Sequence, residues 1–435
     1  MFPLDKLLSR VVCYGDLAVI GSDGKTETFG KPGTGPSVAI RLHDDKVRWQ
    51  LALKPRIAIG EAYTDGRLTI EKGTLREFLD VLMISADRTF PAPASGRGKL
   101  NRFLRQLVNH RGIVNKIGRS RDNVHHHYDV GQALYELFLD RDLQYSCAYF
   151  RHEGMTLEEA QEAKKQHLAK KLLLKPGMRV LDIGCGWGGL ALHLARNHGV
   201  HVTGVTLSDD QFAVASRRAK EAGLASRIEI KLQDYRHETA HYDRIVSVGM
   251  FEHVGRPRFR EYFDHVKRLL ADDGIAVIHT IGRNTPPEPI NAWISKYIFP
   301  GSYLPSLSEL TPLFEDLGLW LNDMENWRLH YAKTLHEWDA RVQKNREAIT
   351  KMFDERFVRM WEFYLQSCEA GFRHQGLSVF QMQLAKKIDA APLTRDYLLD
   401  EPEPARFPKP SLARRPAGLQ SKHLRRAPPS GGQRG

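Results

Sequence analysis

Cysteine is scarce in this sequence: four residues, at positions 13, 147, 185 and 368, are spread over 435 and form no Cys-x-x-Cys pair. That spacing argues against a disulfide framework and against a cysteine-built zinc site. It fits a reducing compartment, so the cytoplasm is the expected location. Long apolar runs are missing as well. Nowhere do 18 apolar residues follow one another, so no segment is expected to cross a bilayer as a helix. The first residues break their short apolar pieces with Asp5, Lys6, Arg10 and Asp16, unlike a secretory leader. No internal repeat is evident. Membrane contact, if there is any, is expected to be peripheral.

What is present is ordinary globular material: 42% apolar and 27% charged residues, which argues against a disordered or fibrous chain. The length exceeds a usual single core, so two folded units plus extensions are expected. The net charge is +12, and half of that excess sits beyond residue 400, where eight basic residues stand against Glu401 and Glu403. The remaining excess would still draw the protein toward anionic lipid or nucleic acid.

Residues 1–90 read as a small α+β domain. Within 36–84, Val38, Ile40 and Leu42 alternate, as do Val47, Trp49 and Leu51, predicting strands. Asp44-Asp45 and Asp65-Gly66 read as turns, and a helix is expected over about 74–82. Residues 91–124 hold a Pro/Gly/Ser linker and a basic amphipathic stretch, 100–121. Leu134, Leu137 and Phe138 share a helical face. Thr156 and Glu159 have capping-box spacing ahead of a long helix that Lys175-Pro-Gly should end. Strands at 179–184, 201–206, 227–232, 243–249 and 274–280 then alternate with helices, a βαβ rhythm that implies a parallel sheet covered on both faces. Phe380, Met382 and Leu384 suggest a late antiparallel strand. The Pro/Arg-rich tail, 396–435, reads as disordered.

The chemistry concentrates in Val180-Leu-Asp-Ile-Gly-Cys-Gly-Trp-Gly-Gly189, a strand running straight into a glycine turn and a helix N-terminus. Missing Cβ atoms let a ligand approach the backbone, and the free N–H groups of the helix face it. A dinucleotide fingerprint would read G-x-G-x-x-G with an acid about 20 residues on; this turn reads G-x-G-x-G-G. Asp182 before it and Gln233-Asp234-Tyr235 at the third strand end resemble the S-adenosylmethionine-dependent methyltransferase pattern. That resemblance puts Gly184 and Gly186 against the methionine part of the cofactor, Thr206 and Gln211 at the ribose and adenine side, and Gln233, Asp234 and Tyr235 over the adenine, with Cys185 and Leu207 also expected to touch the cofactor. The fold it implies is a Rossmann-like class I methyltransferase with a mostly parallel seven-stranded sheet, over about 125–395.

Further stretches resemble one family, the cyclopropane-fatty-acyl-phospholipid synthases and their mycolic-acid relatives. They are His127-Tyr-Asp-Val-Gly131, Tyr145-Ser-Cys-Ala-Tyr149, Gly204-Val-Thr-Leu-Ser208, Met250-Phe-Glu-His-Val-Gly255, His279-Thr-Ile-Gly282, Tyr297-Ile-Phe-Pro-Gly301 and His330-Tyr331. The family implies transfer of a methylene unit from S-adenosylmethionine to the cis double bond of an unsaturated phospholipid acyl chain. Methylation of so weak a nucleophile leaves a cation that must lose a proton, which requires a base and a dry site. The family's base is understood to be bound bicarbonate, and the matching positions are Cys147, Glu252, His279, Ile281 and Tyr331. Tyr145 and Ser146 resemble residues that touch the cofactor. Trp293, Tyr297, Ile298, Phe299 and Tyr303 resemble the lining of an acyl slot.

Plainer readings stay open. Cys147, His279 and Tyr331 could be core residues, Glu252 a helix cap, and the 291–304 aromatics simply core. Cys368 resembles a family cysteine that could act as a nucleophile, but alkene methylation needs no covalent enzyme intermediate, and a structural role is favoured. The histidines 125–127 diverge and are not expected to hold a metal. Gln132 stands where relatives commonly carry Asn. The expected partners are an anionic phospholipid surface, met from the cytoplasmic side through the N-terminal domain, and the unsaturated lipid itself; self-association into a homodimer is left open. Rivals are methylene- or methyl-branching of the acyl chain, a nucleic-acid-binding methyltransferase and a non-catalytic lipid-binding protein. No base-recognition module is seen, so no nucleic acid is expected.

Overall fold

The structure, a computed structural model, describes residues 3–89 and 131–399. The linker and basic stretch over 90–124, the histidines 125–127 and the tail from 400 lie outside the described residues.

The N-terminal unit runs α1 (Pro3–Val11), β1 (Asp16–Ile20), β2 (Thr26–Gly30), β3 (Ser37–Leu42), α2 (Asp45–Leu53), α3 (Pro55–Thr64), β4 (Leu68–Lys72) and α4 (Leu75–Thr89). Its sheet order is β2-β1-β3-β4, with β1 parallel to β3 and the outer pairs antiparallel. Val38, Ile40 and Leu42 are buried in alternation as expected. The strand expected through Val47, Trp49 and Leu51 is instead helix α2. Asp44 caps it by accepting from Val47 N at 2.9 Å, and Val47 and Leu51, four apart, share its buried face while Trp49 stays 47% exposed. The following stretch is helical too, because Pro55 sits at the first position of α3, where its missing N–H costs nothing.

The larger unit contains α5 (Gln132–Phe138), α6 (Leu157–Lys171), β5 (Arg179–Ile183), α7 (Gly189–His198), β6 (His201–Thr206), α8 (Asp209–Glu221), β7 (Ile228–Leu232), β8 (Tyr242–Val248), α9 (Phe259–Leu269) and β9 (Leu270–Arg283). It continues with α10 (Ala292–Tyr297), α11 (Leu307–Leu317), β10 (Trp320–Asn326), α12 (His330–Lys344), α13 (Arg346–Met352), α14 (Glu355–His374) and β11 (Leu377–Ala385). Sheet order is β10-β11-β9-β8-β5-β6-β7. All neighbours run parallel except β11, which is antiparallel to β9 and β10. The capping box at Thr156 and Glu159 is formed. Helix α6 closes at Lys171, however, ahead of the expected stop at Lys175.

Alternation along the central strands divides the packing on the large sheet between two faces. Leu181, Ile183, Ile245, Ala276 and Ile278 face α9 and α11. Val180, Val246, Ile275 and Val277 face α6 and α7. The N-terminal unit docks on α14. Arg76 bonds Glu369 and Asp339 at 3.1 and 3.0 Å, Tyr63 OH donates to Glu362 at 3.0 Å, and His374 lies 2.9 Å from Asp80.

Candidate active site

Strand β5 is flanked by β6 on one side and β8 on the other, so successive connections leave it in opposite directions. Open α/β sheets bind ligands in the crevice at such a switch point, beyond the carboxyl ends of the strands. A cavity opens there. The twelve residues expected to touch the cofactor all line it: Tyr145, Ser146, Asp182, Gly184, Cys185, Gly186, Thr206, Leu207, Gln211, Gln233, Asp234 and Tyr235. Gln144, Trp187, Arg236, Met250, His253 and Arg258 line it too and were not among the residues expected to touch the cofactor.

Local chemistry explains the shape. Gly184 has φ +82°, and a Cβ there would lie 2.8 Å from the Met250 Cβ, so only glycine fits. Gly186 has φ +53° and open space where a Cβ would stand. Ser208 caps α8 by accepting from Gln211 N, and the Thr206 hydroxyl donates to the Gln211 side-chain Oε1 at 2.8 Å. The Asp182 carboxyl is buried with Oδ2 unpartnered, and burial pushes it up to about 7. An orphaned buried oxygen beside a glycine-walled crevice suits a ligand that carries donor groups. Arg236 holds the Asp234 carboxylate through Nε and Nη2 at 2.8 and 2.6 Å, which sets that wall before any ligand arrives.

None of the five expected anion-site positions is among the residues lining this cavity; Cys147, Glu252 and His279 adjoin lining residues, Ile281 bonds Glu252, and Tyr331 connects through Trp338. Glu252 follows β8 in a short 3-10 turn. Its Oε1 accepts from Ile281 N at 2.6 Å, while Oε2 is buried without a partner. Burial raises this carboxyl to about 7, against the pull of the Ile281 N–H. Glu252 is therefore not a helix cap. His279, near the end of β9, has Nδ1 3.1 Å from Gln381 Nε2. Burial holds its ring well below the ordinary histidine range, so it is neutral. Its carbonyl accepts from Gly249 N at 2.9 Å, which ties it to the cavity wall. Ile281 O also accepts from Thr280 Oγ1 at 3.1 Å, leaving one lone pair. Cys147 directly follows Ser146, and burial raises its thiol, so it is un-ionised. Ala148 N donates to Thr334 Oγ1 at 3.0 Å, anchoring this loop to α12, which carries Tyr331. The Tyr331 ring packs edge-on to Trp338, which stacks on Tyr145 at 5.1 Å.

Residues 115–382 match the family described as mycolic acid cyclopropane synthetase. The chain belongs to this family. Within the synthetase family's reach, it is 37% identical over 372 residues to the cyclopropane-fatty-acyl-phospholipid synthase of Escherichia coli strain K12, covering 82% of this chain and 90% of that protein. It is 34% identical over 397 residues to a tuberculostearic acid methyltransferase of Mycobacterium tuberculosis, covering 88% of this chain and 91% of the relative. The solved cyclopropane synthase MmaA2 from Mycobacterium tuberculosis superposes with a TM-score of 0.58 at 33% identity, over 61% of this chain and 98% of that one. Coclaurine N-methyltransferase, at 20% identity and a TM-score of 0.63, shares the fold. The expected Rossmann-like methyltransferase fold and the enzyme class both hold for this synthetase-family member.

The aromatics of 291–304 are divided in it. Trp293 is fully buried against Gly60 of the N-terminal unit, where a Cβ would meet its ring at 2.5 Å, and lies edge-on to Phe363 at 4.8 Å. Tyr297 OH donates to Glu61 at 2.8 Å. Ile298 is buried in the same cluster. Phe299 packs on that cluster too, 5.8 Å from Tyr364, and lies 6.0 Å from the cavity-lining His253. Tyr303 donates to Glu309 at 2.9 Å, and its N–H bonds Glu252 O at 2.9 Å. Cys368 lies on α14 with its thiol pushed up to about 12 by burial, unsuited to nucleophilic work. Among the described residues no group of three or more His, Cys, Asp or Glu could hold a metal, and no helix is long and apolar enough to cross a membrane.

Proposed function

We propose that this synthetase-family member transfers a methylene unit from S-adenosylmethionine to the cis double bond of an unsaturated phospholipid acyl chain and closes a cyclopropane ring, with bound bicarbonate as base. The observation that carries the reading is Glu252: a carboxyl buried behind the cavity, one oxygen fixed by Ile281 N at 2.6 Å and the other unpartnered. The similarity to the Escherichia coli synthase over 82% of this chain supports the substrate class.

When bound, the donor supplies an electrophilic one-carbon unit and bicarbonate a proton acceptor. The protein's part is placement and exclusion of water. The glycine turn and Ser146 hold the donor at the carboxyl ends of the central strands. Neutral His279 would offer a hydrogen-bond donor to a small anion, joined by Tyr331 and by the un-ionised Cys147 thiol once it turns from Ala148 O, to which it donates at 3.4 Å. Glu252, poised near neutrality at about 7, can hold or release a proton beside it. The rings of Tyr145, Trp338, Trp361 and Tyr364 keep this side of the site dry. Access to lipid falls to the N-terminal unit docking on an anionic bilayer from the cytoplasmic side, which vesicle flotation with anionic and neutral lipids tests.

Glu252→Gln and Cys147→Ser are expected to lower turnover at least roughly tenfold while S-adenosylhomocysteine still binds. Full rate in both would refute the anion site. A second reading has one specific support, the tuberculostearic acid methyltransferase similarity: the same methylation with a different proton loss, giving a methylene-branched chain or a methyl-branched chain that keeps a double bond. Fragmentation and hydrogenation of the product lipid separate the two.

A further inference from the structure

Helix α6 carries a lysine that the catalytic account leaves unused. Lys164 is fully buried, and its Nζ donates to Ser146 Oγ at 2.6 Å. Among the described residues no carboxylate comes within ion-pair distance of it. The groups that feel its charge are Asp140, Asp142, Lys165, Cys147, Asp182 and His279, and the Asp142 carboxylate is held by Lys165 and Arg218. Of these, Asp140 spends its carboxylate on the backbone N–H groups of Asp142 and Gln144. A desolvated ammonium without a counter-ion is costly, and burial lowers this one to about 8.

Hydrogen-bond bookkeeping gives the cost a purpose. An ammonium has only donors, so the Ser146 oxygen must accept from it. The hydroxyl hydrogen of Ser146 is then left to point elsewhere, and Ser146 lines the donor cavity. A cation behind a hydroxyl turned outward as a donor makes a seat for an anion.

We propose that Lys164 is a positioning residue that, acting through Ser146, seats the carboxylate at the amino-acid end of the methyl donor. This rests on the cavity being the donor site, as proposed above. The adenosine end, which carries no negative charge, would gain nothing from Lys164.

That difference supplies the test. Calorimetry on the full chain compares S-adenosylhomocysteine, which has the carboxylate, with 5′-methylthioadenosine, which lacks it. In Lys164→Met the first should weaken about tenfold or more, the scale of a charge-assisted hydrogen bond, and the second should stay within about twofold. Unchanged methylthioadenosine binding also shows that the variant folds. Adding Lys164→Met to Ser146→Ala should weaken S-adenosylhomocysteine little beyond Ser146→Ala alone. Equal weakening of both ligands, no weakening of either, or a full further tenfold loss in the double variant would overturn the proposal. Failure of the unsubstituted protein to bind either ligand would instead overturn the donor-site reading.

Discussion

Replacing Glu252 by Gln should stabilise the folded protein increasingly as pH rises. The carboxyl is raised from an ordinary 4.5 to about 7 by burial, so between those values the native state holds a proton that the unfolded chain has released. Stability therefore falls as pH climbs through that window and levels off above 7. At 1.36 kcal/mol per pH unit, the ionised form costs roughly 3 kcal/mol in the folded state. Glutamine keeps the shape and has no proton to lose, so it escapes this cost. Asp182, also raised to about 7, contributes a slope of the same sign in both proteins and drops out of the difference. Thermal melts of the two proteins at pH 5, 6, 7 and 8 read the effect. The variant's advantage should grow by on the order of 5 °C across the series, using about 2 °C per kcal/mol for a domain of this size. A difference that does not change with pH would mean that Glu252 is not a desolvated carboxyl and would remove its part in the site.

Gly184→Ala should weaken S-adenosylhomocysteine binding about tenfold or more, because φ +82° and the Met250 contact at 2.8 Å push the wall into the cavity; titration calorimetry checks it. Trp293→Ala should destabilise by about 3–5 kcal/mol, as expected for a buried tryptophan, and a denaturant midpoint equal to that of the parent would refute the packing on Gly60 and Phe363. Cys368→Ala should keep turnover within about twofold, since a thiol raised to about 12 is hardly ionised at neutral pH; a dead enzyme would restore the nucleophile reading.

The alternation of apolar residues on the central strands made the large sheet legible in the sequence, because Val180/Leu181 and Val246/Ile245 split cleanly between two faces. The glycine turn was legible for a similar reason: each glycine answers a local backbone demand. Val47, Trp49 and Leu51 misled because a spacing of two and a spacing of four coincide at Val47 and Leu51, and the cap at Asp44 resembles a turn. Strands β1 and β2 went unread, since β2 is largely exposed and has one buried residue, Phe29. Long-range partners were invisible. Lys164, Lys165 and Lys171 look like a solvated basic helix, yet Ser146, Asp142 and the pair Asp323 and Glu325 meet them from distant segments. The burial of Trp293 against Gly60 likewise depends on docking of the N-terminal unit.

The central claim meets its most direct test in the product of the reaction. Unsaturated phospholipid vesicles incubated with the full chain and labelled S-adenosylmethionine, with bicarbonate present or rigorously removed, should yield acyl chains carrying one added labelled carbon in a ring that survives mild hydrogenation, at a rate that falls when bicarbonate is withdrawn. Labelled chains that hydrogenate to methyl branches, or no labelled lipid at all, would contradict the account.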